Sequence, residues 1–166
     1  MKQLFCTSMK HTFKTIFAFL AFGLLLTGCS DDDEGAPNFD AEIAGVYDLV
    51  EVNVSQALDI DNDGSSSTNL LDEVTCITGT LTLSENNQYS VSQSTINVTT
   101  ITGGLFFADC SGTTTSSGTW SGSSNSVVFS GGTLFTTLAR ANDRLTNTVG
   151  EDLPGILTYV YQKRTN

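Results

Sequence analysis

The chain has 166 residues, 39% of them hydrophobic, and sets eighteen Asp and Glu against seven Lys and Arg, a formal charge of −11 at pH 7. That field repels nucleic acid and anionic lipid headgroups and steers basic or cationic partners toward the protein. The only histidine is His11, in a segment expected to be removed, so a Ser-His-Asp or Cys-His site and a histidine-ligated zinc or iron centre have nothing to build on.

In chain order, Lys2, Lys10 and Lys14 come first and lead into an apolar run from Thr15 to Leu26. A basic head before an apolar stretch reads as a secretory signal, and this run falls short of the roughly 20 apolar residues of a permanent membrane span. Leu26-Thr27-Gly28-Cys29 follows and resembles the lipobox of bacterial lipoproteins. The resemblance implies that residues 1–28 are a signal peptide, cut before Cys29, and that Cys29 takes the lipid, palmitate among its acyl chains. An ordinary secreted protein with a chance cysteine here would instead leave a free thiol at its mature terminus in an oxidising compartment. Each buried methylene contributes about 0.8 kcal/mol, so several acyl chains make a firm membrane anchor. Cleavage removes three of the seven bases and no acid; the four that remain (Arg140, Arg144, Lys163 and Arg164) face eighteen acids, a formal −14.

Residues 29–42 open with Ser30-Asp31-Asp32-Asp33-Glu34-Gly35-Ala36-Pro37-Asn38, too polar to collapse, and are expected to be an acidic, disordered tether. An acidic run directly after the cysteine is similar to the signal that sends lipoproteins of Bacteroidota to the outer face of the outer membrane. The implied location is the cell surface of a Gram-negative bacterium. The alternative is the periplasmic face, with the acids only keeping the tether extended.

Residues 43–166 form the domain, and they read as strands and turns. β-branched residues favour pleated structure, and Gly-Ser and Asn clusters supply the turns. The predicted strands are Val46–Val54, Gly79–Ser84, Tyr89–Ser94, Ile96–Ile101, Leu105–Asp109, Thr115–Ser121, Ser126–Ser130, Thr133–Arg140, Arg144–Val149 and Ile156–Gln162. Val46, Val50, Val52 and Val54 are expected on one face of the first, and Leu81 with Leu83 on one face of the second. Glu85-Asn86-Asn87, Ser123-Ser124-Asn125, Gly131-Gly132 and Ala141-Asn142-Asp143 are expected hairpin turns.

Between the first two strands, Asp59-Ile60-Asp61-Asn62-Asp63-Gly64 places three carboxylates at alternate positions before a turn glycine. That spacing matches the first half of a calcium-binding loop. The twelfth position, where an EF-hand needs a glutamate, is Leu70, and no helix is predicted on either side, so an EF-hand is rejected. A looser Ca2+ loop remains, with Asp59, Asp61 and Asp63 as ligands and Asp72 or Glu73 folding back as the last. The plainer reading is a solvated loop whose aspartates bond nearby amides. Cys76 and Cys110 are left as a pair once Cys6 is cut away and Cys29 acylated, which in an exported chain points to a disulfide.

The strand sequence predicts an all-β, up-and-down antiparallel meander of about eight strands closed into a barrel, with a β-sandwich as the alternative. The opening Ile43-Ala44-Gly45-Val46-Tyr47-Asp48-Leu49, the insertion from Asp59 to Cys76, Leu81-Thr82-Leu83 with Tyr89, Gly118-Thr119-Trp120 and Leu157-Thr158-Tyr159-Val160-Tyr161 together resemble the lipocalin-like lipoproteins of Bacteroidota. The resemblance covers about Ile43 to Lys163. It implies a lipocalin-like barrel and a small apolar or amphipathic ligand inside it. One departure stands out: lipocalins proper carry G-x-W on the first strand, where this chain has Gly45-Val46-Tyr47, and its only tryptophan, Trp120, comes far downstream. Trp120 is expected in the barrel floor.

Only carboxylates remain for catalysis. Paired carboxylates can hydrolyse glycosidic bonds, but a domain this small leaves little room for a substrate cleft, and the chain is read as non-catalytic. The four bases are read as solvated strand ends, the alternative being an anionic ligand at a barrel mouth. Two functions follow: a membrane-anchored binder of a small ligand, or a structural or accessory surface protein acting through protein contacts. A filled interior needs large side chains in successive layers and a cavity needs small ones, which separates the two.

Overall fold

The computed structural model describes residues 39–103, 105–150 and 155–165. The expected signal peptide, Cys29 and residues 29–38 of the tether lie outside them. The described chain runs α1 (Phe39–Ile43), β1 (Gly45–Leu58), β2 (Ser67–Asn69), β3 (Gly79–Leu83), β4 (Gln88–Thr100), β5 (Phe106–Gly122), β6 (Ser126–Ser130), β7 (Thr137–Ala141), β8 (Arg144–Thr148) and β9 (Ile156–Lys163).

Every pairing is antiparallel. β1, β3, β4 and onward to β9 lie side by side in chain order, and β9 returns to pair with β1. Eight strands thus close into an up-and-down barrel, with β2 as one extra strand laid along β1. The β1–β9 ladder, from Tyr47 opposite Lys163 to Val54 opposite Ile156, removes the open edges that a sandwich would keep.

Hairpin turns fall where the sequence puts them. Asn87 and Asn142 take positive φ (61° and 53°), a conformation that asparagine tolerates better than most residues. The break predicted between Tyr89–Ser94 and Ile96–Ile101 is a register shift inside one strand, β4. Likewise Leu105–Asp109 and Thr115–Ser121 are parts of the single strand β5, with Gly112 at φ 142° opposite that shift. Only glycine enters such a conformation freely, so a residue that reads as a turn instead makes a bulge.

The face expected of β1 needs correction. Val52 and Val54 are buried, but Val46 and Val50 are only partly so, and Tyr47 and Leu49 take the inner positions before them. The ladder to β9 slips one residue between Leu49 and Glu51, and a one-residue slip exchanges the two faces of a strand. Leu81 and Leu83 are both buried, as their alternation predicts. The strand predicted over Thr133–Arg140 shortens to β7, because Phe135 leaves the sheet edge and buries its ring in the core.

Residues 39–42, expected in the tether, are folded as α1. Asp40 Oδ1 accepts from the Gly122 amide at 2.8 Å and its Oδ2 from Asn87 Nδ2 at 2.8 Å, while Ile43 is buried among the barrel residues. A lone turn of helix is unstable in water; tertiary contacts hold this one.

Candidate functional site

Alternation sends Tyr47, Tyr89, Trp120, Phe129 and Tyr161 into the barrel. Tyr89 meets Phe129 edge to face at 4.8 Å between ring centroids, Phe129 meets Phe135 at 5.3 Å, and Phe135 meets Tyr161 at 5.9 Å. This aromatic file crosses the interior. The polar tips of these buried aromatics are satisfied: Tyr161 Oη donates to Gln93 Oε1, Tyr47 Oη donates to the Ile43 carbonyl at 2.6 Å, and Trp120 Nε1 donates to the Ser84 carbonyl at 3.1 Å. Burial pushes the Tyr47 hydroxyl from 10.0 up to about 12 and raises Tyr161 as well. Trp120 is a core residue, as expected.

One end of the barrel is covered by α1. Arg140, read from sequence as a solvated strand end, has a side chain only 9% exposed; it pairs with Glu42 and donates to the Ser123 and Ser124 carbonyls. Lys163 Nζ donates to the Glu42 carbonyl at 2.6 Å. Arg144 pairs with Glu51, and Arg164 grips both oxygens of Asp48 at 2.6 and 2.7 Å. The Arg164 bond holds the Asp48 carboxyl below its ordinary range, and bonds from Asn53 and then Arg144 do the same for Glu51. All four bases are therefore engaged within the chain, with Arg144 Nε left without a hydrogen-bond partner among the described residues.

The aspartate loop begins where β1 ends. Asp59, Asp61 and Glu73 each offer an oxygen within 4.8 Å of the others. Asp59 Oδ2 accepts from the Gly64 amide and Asp61 Oδ1 from the Asp63 amide. Asp59 Oδ1 is shut off from solvent with no hydrogen-bond partner among the described residues. Glu73, 8% exposed, accepts from the Ile60 amide at 2.9 Å. Asp63, the third expected ligand, is not part of this group: its Oδ1 accepts from the Ser65 amide at 2.7 Å, and Asp72 accepts from Ser67 Oγ. Two of the three expected aspartates converge, and Glu73 takes the folding-back position.

Cys76 and Cys110 are joined, with Cα atoms 6.1 Å apart. The bridge ties the segment after the aspartate loop to β5. Beyond it, the β4–β5 hairpin ends in a turn where the Ile101 amide bonds the Leu105 carbonyl at 2.8 Å, and Ile101, Leu105 and Phe107 are about half exposed.

On the outside, β3, β4, β5 and the Gly131–Thr133 segment enclose a groove of about 640 Å³ lined mainly by hydroxyls. Sequence reading missed this feature because it depends on cross-strand register, which no single strand carries. No family model, curated protein or solved structure matches this chain.

Proposed function

We propose that this chain is a membrane-anchored, non-catalytic lipoprotein of the lipocalin-like kind that holds a filled barrel at the surface of a Gram-negative cell and works through the outside of that barrel. The anchor rests on the basic and apolar head, on Leu26-Thr27-Gly28-Cys29 and on the acidic run behind it. The outward action rests on one observation: the file Tyr89, Phe129, Phe135 and Tyr161 occupies the interior, where a lipocalin-like carrier would hold its ligand. A closed eight-strand barrel is a fold compatible with ligand carriage, so a small apolar guest in the interior is the second reading; it would require these rings to move apart.

We also propose Ca2+ as the ion of the aspartate loop. Asp59, Asp61 and Glu73 supply the hard oxygen ligands that calcium prefers, and the unpartnered Asp59 Oδ1 is an acceptor that burial without a partner makes costly. The ion's part would be to order the loop between β1 and β3.

Native mass spectrometry of the full chain, extracted from membranes in mild detergent and compared before and after a chelator, tests these points together. The expected protein carries acyl mass that Cys29→Ala removes, one calcium that the chelator strips and Glu73→Gln weakens, and no other organic molecule. A retained organic guest would return the carrier reading to first place. An unmodified Cys29 would sink the anchor.

A further inference from the structure

We infer that the outer groove over β3, β4 and β5 is a binding site for a neutral, polyhydroxylated chain, a glycan without acidic groups. The inference rests on the reading that the barrel acts through its outside. The ladder registers place Thr80, Ser92 and Thr115 in one row across the three strands and Thr82, Ser90 and Ser117 in the next. Strands lie about 4.8 Å apart and same-face residues about 6.7 Å apart along a strand. Two rows of three hydroxyls therefore form a grid with a repeat close to the width of a sugar ring.

These hydroxyls differ from their neighbours of the same type. Ser116, on the opposite face, bonds Tyr89 Oη at 3.2 Å, and Thr114 bonds Thr95 at 2.7 Å. Among the described residues, no hydrogen bond within the protein occupies the side chains of Thr82, Ser90, Ser92, Thr115 or Ser117, while Thr80 leans on Asp48. Each free hydroxyl can donate one bond and accept two, which matches a ligand that is itself a set of hydroxyls. Threonine methyls and the methylenes of Gly131 and Gly132 supply small apolar patches for the C–H faces between them. A side chain at Gly132 would run into Tyr89 Oη and Ser116 Oγ, so this wall stays bare backbone.

The lining carries no charged side chain. Asp48, opposite Thr80 in β1, is the nearest acid in the ladder and is already held by Arg164. With four bases against eighteen acids behind Cys29, the field around the domain disfavours anionic chains. The groove's volume lies within the roughly 300–1,000 Å³ of ligand sites, and its shallowness suits an extended chain more than a compact molecule.

The test is a glycan array of neutral and acidic oligosaccharides probed with the full chain in detergent, beside the double variant Thr82→Val, Thr115→Val. Both substitutions are near-isosteric, sit on the outer face and keep β-branching, so the fold is retained; circular dichroism verifies it. Binding is expected on neutral glycans, with at least a tenfold loss in the double variant and no change on adding chelator. A blank array, binding confined to acidic glycans, or binding untouched by the double variant overturns the inference. A retained guest inside the barrel would overturn the outside-acting reading alone, so the two failures are distinguishable.

Discussion

At the α1 end of the barrel, Asp40, Glu42, Arg140 and Lys163 knit a helix, two turns and the last strand together over the buried Tyr47 and Trp120. At the other end, β5 runs from Phe106 to Gly118 without one fully buried residue. β6 pairs only with Thr119–Gly122, so this stretch has β4 as its single ladder partner. The first region is held by burial and side-chain bonds. The second is held mainly by backbone pairing and one covalent staple, with the Tyr89–Ser116 and Thr95–Thr114 side-chain bonds at its inner end. A β-hairpin can thus extend past its core, provided it is pinned, because ladder hydrogen bonds and β-branched Thr and Val keep it extended where its apolar side chains, Ile96, Val98, Phe106 and Ala108, are only partly buried.

The contrast breaks most visibly at Phe129, whose ring contacts both Tyr89 and Phe135. Phe129→Ala should cost about 3–5 kcal/mol, read as a lowered urea midpoint, whereas Phe107→Ser on the exposed hairpin should stay within about 0.5 kcal/mol. Equal losses would show that the two regions are not held differently. Next comes the staple: replacing Cys76 and Cys110 together by serine opens a loop with a sequence separation of 34. The chain-entropy model puts the loss at about 3–4 kcal/mol, and hydrogen exchange should quicken first in Ile96–Cys110 rather than around Tyr47.

pH gives smaller effects at both ends. Tyr47 ionises near 10.0 when exposed and near 12 when buried, so the folded state binds its proton longer than the unfolded state does. Stability should hold below pH 10 and fall as pH rises toward 12, with the Tyr47 share of the tyrosinate absorbance at 295 nm, read against Tyr47→Phe, appearing only as the core opens. A separate, early titration of Tyr47 and Tyr161, ahead of unfolding, would contradict their burial. Asp48 has the opposite sign: its folded value lies below the ordinary 3.8, so its contribution is present above that pH and lost as pH falls below it. It is largely exposed, and salt should screen most of the effect.

Much of the architecture can be read from residues alone. Turns at Asn87, Asn125 and Asn142 are local chemistry, and the alternation of Leu81 with Leu83 identifies an inward face directly. What escapes is anything set by register. The faces of β1 exchange at Leu49/Glu51, a slip that leaves no mark in composition. The turn of helix at Phe39–Ile43 exists through Gly122 and Asn87, which are distant in sequence. Among the candidate ligands, spacing selects Asp59 and Asp61 but also Asp63, because three alternate carboxylates look alike until Ser65 claims one of them. The hydroxyl grid is three ordinary serine- and threonine-rich strands until they are laid side by side.

The pairing of Tyr47 with Lys163 and of Val54 with Ile156 also sets the order of events in folding. The first long strand pairs with β2 and β3 nearby in sequence, but its other edge cannot be paired until a strand about a hundred residues later has been made. Barrels dominated by such distant partners fold slowly, on the millisecond-to-second scale. Until β9 arrives, that edge of β1 stays unpaired, and Leu49, Val52 and Val54 on its inward face stay open to water and to other chains. Such an intermediate is prone to aggregate, and a chaperone that recognises extended apolar segments would have its longest opportunity there.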